Sequence, residues 1–330
     1  MKTDHPPFSG NHDKVLSAVK SRDLPADVQS VVEEYDRTVG ERDHFLWKWL
    51  DAAIPQLALS TVEPRYEQLA QNAKLLASVF VSTVDDVAEI DGDWETYEEA
   101  TKIPFGRDES NLDRPGVDPD LLAFARDVWE QFESGLGAGP RSDEFEAIRH
   151  FDLRQVLNAI EYSYVANQHP ETVTEDELWA YDSHNMMVLF YADVDLAFSP
   201  AFDRDDLGSL RRILLRGQRM ARIGNWTTTW ERELYEGDVS SGVIGRALEQ
   251  DVLSLEEVRR IRNAPTEAVV EPVVERIRDR GLEDAFVDRW RAEYDAIEAM
   301  EPKPDSIDVR SYLDGLESVM HHHLASEGLK

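Results

Sequence analysis

Residues Arg222 to Val239 read RIGNWTTTWERELYEGDV, and within them Asn225, Thr229 and Glu233 recur every four residues. On a helix that spacing stacks the three side chains on one face. An amide oxygen, a hydroxyl and a carboxylate in a row are donors that suit a hard cation. Mg²⁺ keeps several of its waters, so two or three protein oxygens suffice when a phosphate supplies the rest. Arg222 lies three residues before Asn225, and Arg232 adjoins Glu233. Guanidinium groups beside metal ligands suit an anion such as a diphosphate. Such a polar row is also what a solvated helix face looks like, and Arg222 could equally pair with an acidic neighbour such as Asp195 or Asp238. Trp226 and Trp230 argue instead that this helix is packed on its other faces.

The 330 residues carry 67 acidic against 35 basic side chains, a net charge of −32. Only eight of the basic residues are Lys: 2, 14, 20, 48, 74, 102, 303 and 330. An acidic surface poor in Lys looks halophilic, because high salt screens its self-repulsion. The same charge argues against nucleic acid and anionic membranes as partners. There is no Cys, so disulfides and thiolate metal sites are excluded. The longest strongly apolar run, Met186 to Ala192, is too short to span a bilayer, so stable membrane insertion is not expected. The polar N-terminus lacks the apolar core of a signal peptide, and a cytoplasmic protein is expected.

Along the chain, apolar residues recur with helical spacing, and alternating strand patterns are absent. Residues 1–25 are expected to be loose. Helices are expected over 26–49, over about 63–90, and over 119–134 and 142–167, with a Pro- and Gly-rich loop from Thr101 to Pro119. Another is expected over 173–198, then the long helix that carries Arg222 to Val239, then 254–263, 266–280, 282–300 and 306–327. The expected fold is all-α, with one helical-bundle domain over 26–330.

The helix ending near residue 90 is apolar until it reaches STVDDVAEIDGDW. There Asp85, Asp86 and Glu89 form a DDxxE pattern, with spacings of four and three that converge on one side of a helix. Like charges so placed repel unless a cation bridges them. Two oxygen-rich faces on two helices could therefore hold several cations and a diphosphate between them, above an apolar interior for a hydrocarbon tail.

This pairing resembles the class I terpene synthases. Asp85, Asp86 and Glu89 match the first acidic motif of that family, and Asn225, Thr229 and Glu233 match its second metal motif. Arg222-Ile223 is similar to the dipeptide that precedes the second motif, and Arg232 stands where a diphosphate-binding Lys is often found. Glu236-Gly237-Asp238 is similar to the tripeptide that commonly comes after that motif. Met186 to Phe202 looks like the family's broken helix G, and Asp308 to His323 like its C-terminal helix. Trp226 replaces the usual second Asp of the metal motif. The arginine that senses diphosphate is missing, since Trp179, Ala180, Tyr181 and Asp182 stand in its place. The C-terminal Arg-Tyr pair is split by Ser311, leaving Arg310 and Tyr312.

The resemblance implies the isoprenoid synthase type of bundle with a central apolar cavity. It also implies three Mg²⁺ ions, and a small-molecule prenyl diphosphate partner of C15 or C20 length. The implied reaction is ionisation of that substrate, with the cation held by aromatic faces in a dry pocket. Phe80, Ser78, Ser82, Tyr162 and Phe190 are candidate pocket residues. A prenyl-diphosphate hydrolase or transferase on the same fold, or a non-catalytic isoprenoid-binding protein, remains an alternative. Either a monomer or a homodimer is compatible. His321, His322 and His323 point different ways on a helix, so they cannot chelate together and are expected to be exposed.

Overall fold

The computed structural model describes residues 12–89, 92–106 and 110–329. Among these residues there is no strand. The helices are α1 (His12–Lys20), α2 (Ala26–Thr38), α3 (His44–Ala53), α4 (Glu67–Glu89) and α5 (Trp94–Ala100), followed by α6 (Pro119–Leu136), α7 (Glu146–Gln168), α8 (Glu175–Ala180), α9 (Val188–Ala197) and α10 (Leu207–Glu236). The chain ends with α11 (Gly242–Glu249), α12 (Leu255–Asn263), α13 (Glu267–Asp279), α14 (Leu282–Glu298) and α15 (Val309–Ala325).

Helix α4 is buried on nearly every face from Ala73 to Ala88, because α2, α5, α6, α7 and α9 surround it. The apolar stripe of α6 (Leu122, Ala125, Trp129, Phe132) faces it. Four rings fill the space between α4, α6 and α9. Phe80 meets Trp129 with centroids 4.8 Å apart, Trp129 meets Phe132 at 4.5 Å, and Phe132 meets Phe190 at 5.8 Å. Offset and tilted pairs of this kind add to the burial term. Helix α10 packs against α9, α14 and α15. Trp226 and Trp230 are fully buried, so the expectation that this helix is packed holds.

One buried ion pair crosses the interior. Lys74 Nζ of α4 lies 2.6 Å from Asp195 Oδ1 of α9, and the other oxygen of Asp195 accepts the Leu59 backbone N–H at 3.0 Å. Ser78 bonds back to the Lys74 carbonyl and across to the Tyr191 hydroxyl. With these polar atoms partnered, the cost of burying the two charges is offset.

Five details depart from the sequence reading. The helix expected over 26–49 is two helices, α2 and α3, separated at residues 39–43. Gly40 there has φ 77°, and Asp43 caps α3 by accepting the Phe45 N–H at 2.7 Å. Residues 12–20, expected to be loose, form α1, which packs on α3 and α15; residues 1–11 lie outside the described residues. The segment 173–198 is α8, a 3₁₀ turn Asp182–Met186 and α9, broken at Met187 with φ 57°. Within Met186 to Phe202, α9 itself runs unbroken over Val188–Ala197, with the break at its N-terminal edge. Helices α5 and α11 have no counterpart in the expectations; both are short. His323 is buried, and His321 and His322 are half-buried, rather than exposed. Gly224 of α10 has no side chain, so the His323 ring fits where a Cβ would come within 2.8 Å of it, and it packs on Trp49 at 4.8 Å between centroids.

Candidate active site

The C-terminal ends of α4 and α10 carry the two motifs. On α4 the adjacent aspartates part in direction. Asp86 is fully buried and faces the N-terminal helices, where Tyr35 of α2 donates to its Oδ2. Arg42, in the turn between α2 and α3, donates from Nε to Asp86 Oδ1 at 2.6 Å and from NH2 to Asp85 Oδ2 at 2.7 Å. The remaining oxygen, Asp85 Oδ1, is buried and has no hydrogen-bond partner among the described residues. Burial pushes the Asp85 carboxyl up to about 6, Arg42 opposes the rise, and the charges of Asp86 and Asp238 add to it. The side chain of Glu89, the third member of the pattern, lies outside the described residues.

On α10 the expected row is present. Arg222 is buried, and it spends its fork on Asp182, with Nε and NH2 each 2.6 Å from a carboxylate oxygen. Its NH1 donates to Asn225 Oδ1, also at 2.6 Å. Arg222 therefore pairs with an acidic side chain, as one sequence reading allowed, but the partner is Asp182 and not Asp195 or Asp238. Trp226 Nε1 donates to Asp182 as well, at 3.0 Å. The Thr229 hydroxyl donates to the Asn225 carbonyl at 2.9 Å, keeping its lone pairs. Burial lifts Glu233 to about 7; Asp238 adds to the rise, while Arg222, Thr229 and Arg232 oppose it. Arg232 is bound to Glu236 one turn on, with Glu233 at 3.9 Å.

Asp238 is the group that both ends feel. Gly237 ends α10 with φ 80°, a left-handed cap that turns the chain back and presents the next residue. Asp238 Oδ1 accepts from Asn167 of α7 at 3.0 Å and from the Ser240 amide and hydroxyl, each at 2.8 Å. Its charge raises Asp85, Glu233 and Asp182 alike. Asp238 thus acts electrostatically on a carboxylate at the end of α4 and on one at the end of α10.

Arg42, Tyr35, Asp182 and Asn167 were not identified from the sequence. Their partners are some 40 to 70 residues away along the chain, and no periodicity reports on that. One weak signal existed: an Asp-Asp pair inside an apolar helix requires a counter-charge. Arg310 does not reach this site. It lies on the surface between Glu298 and Asp314, while Tyr312 is buried. Of the candidate pocket residues, Phe80, Phe190 and Ser78 are buried in the interior below the site, and Ser82 and Tyr162 are half-buried. A cavity of about 410 Å³ lies elsewhere, lined by Val15, Ala18, Arg22, Ala52, Gln56 and His322. It contains none of the expected site residues.

No family model and no curated protein matches this sequence. Solved structures do match. Isoprene synthase from grey poplar leaves (Populus x canescens) is similar with a TM-score of 0.54 and 13% identity, over 96% of this chain and 54% of that one. Geranylgeranyl pyrophosphate synthetase from the archaeon Geoglobus acetivorans is similar with a TM-score of 0.50 and 14% identity, over 94% and 99%. The chain has the isoprenoid synthase fold. It spans about half the length of the isoprene synthase it matches. No helix of the described residues is long and apolar enough to cross a membrane.

The donor set fits a hard divalent cation in two respects. A buried carboxylate oxygen at Asp85 has no partner among the described residues, and the α10 row offers amide, hydroxyl and carboxylate oxygens. Among the described residues no three carboxylates or imidazoles converge on one point, so any cation here relies on the amide and hydroxyl and on oxygens brought by its ligand.

Proposed function

We propose that this chain is a Mg²⁺-dependent class I terpene synthase that ionises a linear prenyl diphosphate of C15 or C20 length. The product would be a terpene hydrocarbon or alcohol, with release of diphosphate. What supports the reading is that the ends of α4 and α10, on an isoprenoid synthase fold, carry a buried Asp85 oxygen with no partner among the described residues and the Asn225–Thr229–Glu233 row, with the charge of Asp238 acting on both Asp85 and Glu233. Asp85 and Glu89 on α4, and Asn225, Thr229 and Glu233 on α10, would hold the ions; Asp86, expected from the sequence to join them, is instead taken by Tyr35 and Arg42 on its two oxygens. When bound, Mg²⁺ supplies Lewis-acid stabilisation of the departing diphosphate.

The chain's own groups do the rest. Arg222 orients the Asn225 amide through NH1 while Asp182 fixes its fork. Arg232 is the basic group beside Glu233 on the exposed side. The rings of Phe80, Trp129, Phe132 and Phe190, packed on one another, make the interior below the site apolar and aromatic, and a ring face exposed to the substrate there would stabilise positive charge. Asp182, standing where the family has a basic diphosphate contact, favours a second reading. That reading is a hydrolase or transferase on the same fold, in which ionisation is assisted differently.

The test is incubation with C10, C15 and C20 diphosphates in molar salt, with and without Mg²⁺, read by inorganic diphosphate release and gas chromatography. Mg²⁺-dependent release with a hydrocarbon or cyclic alcohol as product is expected. Free linear prenol would favour the hydrolase, and no release with any chain length would refute an enzyme of this class.

A further inference from the structure

Arg42 is the arginine that bridges both aspartates of α4 and still keeps a nitrogen free of them. Its Nε and NH2 are held by Asp86 and Asp85, but its NH1 makes no hydrogen bond among the described residues. By contrast, Arg222 is committed at all three nitrogens, to Asp182 and Asn225, and Arg232 leans on Glu236. Arg42 is also held from behind: Tyr35 and Arg42 share the buried Asp86 carboxylate, so the turn that carries Arg42 is anchored to α4 even if its contact with Asp85 is lost.

The guanidinium lies against the carboxylate oxygens that a cation on α4 would use. It takes Asp85 Oδ2 and Asp86 Oδ1, leaving Asp85 Oδ1 as the open position. A divalent cation held by Asp85 would compete with NH2 for that carboxylate. Released from Asp85, the guanidinium would still be held by Asp86 through Nε and NH2, leaving NH1 to donate to an anion brought by the cation.

We propose that Arg42 is an anion-contacting residue that couples cation binding to diphosphate binding: it leaves Asp85 when a divalent cation arrives and donates to the diphosphate. This rests on the reading of the site given above and extends it to a residue outside both motifs. Arg42 opposes the cation when no anion is present, because the two compete for Asp85. With an anion present it gains an acceptor, so each ligand favours the other, and the coupling is reciprocal. A guanidinium suits the exchange because its planar fork can hold a carboxylate on one edge and a phosphate on the other.

The test measures Mn²⁺ binding by electron paramagnetic resonance and inorganic pyrophosphate binding by calorimetry, on the full chain in molar salt. Wild type should bind Mn²⁺ weakly alone and more tightly with pyrophosphate. Arg42→Gln should bind Mn²⁺ alone about 3-fold more tightly, and pyrophosphate at saturating Mn²⁺ at least about 10-fold more weakly. The opposite signs are diagnostic, since a merely structural ion pair would lower the melting temperature and weaken both or neither. Arg42→Lys carries the same test should the Gln variant fail to fold. It keeps the charge, so its melting temperature should stay close to wild type while the pyrophosphate enhancement falls. Variants that bind both ligands as wild type does would overturn the role of Arg42 alone. A wild-type protein that binds no Mn²⁺–pyrophosphate would overturn this inference together with the proposed function.

Discussion

Replacing Arg222 by Ala tests the most buried ion pair of the site. Asp182 is fully buried, and two of its hydrogen bonds come from the Arg222 fork. Removing one partner of such a pair costs about 3–5 kcal/mol, because the other charge stays buried. Two features place this case at the lower end. Trp226 Nε1 still donates to Asp182, and burial already raises the Asp182 carboxyl, so it can protonate instead of staying charged. A loss of about 3 kcal/mol is expected. Unfolding entropy of about 2.1 cal/mol/K per residue gives roughly 0.7 kcal/mol/K for a chain of this length, so the melting temperature should fall by about 4 °C. Asp182→Asn and the double variant complete a cycle, read by calorimetry in molar salt. The double variant should recover about 2 kcal/mol relative to the sum of the single losses, because neither charge is then left alone. Independent, additive losses, or an Arg222→Ala protein that melts within about 1 °C of wild type, would refute the assignment of this pair.

Three further outcomes are expected. Burial lifts Glu283 to about 7, while Trp230 Nε1 donates to its carboxylate. A folded pKa above the unfolded value stabilises below about pH 4.5, and that contribution is lost as pH rises through about 7. Glu283→Gln keeps the acceptor without the charge, so it should raise stability at pH 8 by about 1–2 kcal/mol and change little at pH 4.5; an equal gain at both pH values would count against this. Mg²⁺ should raise the melting temperature more at pH 8 than at pH 5.5, since Asp85 at about 6 and Glu233 at about 7 must ionise to bind it; equal shifts at the two pH values would contradict the site. With a net charge of −32, the fold should be most stable in molar salt and lose structure on desalting; a higher melting temperature in dilute buffer would contradict that expectation.

Much of the fold was legible because helical periodicity is a local property. The apolar stripe of α4, the long α10 with its oxygen row, and the Pro- and Gly-marked ends could all be read directly. The breaks were harder. Gly40 marks the α2–α3 turn, but the apolar residues on both sides sustain one continuous helical pattern. At Met187 the left-handed residue is not Gly, so no residue type announces the turn between Ala180 and Val188. The site was legible as donors and not as pairings. The four-residue row on α10 and the Asp-Asp step on α4 are visible in the letters. That Asp86 turns towards Tyr35, that Arg42 bridges both aspartates, and that Asp182 claims Arg222 are contacts set by how distant helices pack.

The Lys74–Asp195 pair has a practical use. In a chain where Arg has largely displaced Lys, this ammonium is sealed against α9 and about 1% exposed. An amine-reactive reagent can reach Lys74 only after α4 and α9 separate. Counting added labels by intact mass therefore reports on the closure of the bundle interior one molecule at a time. It does so in concentrated chloride, where the solvent absorbs the far-ultraviolet light on which circular dichroism of helices depends.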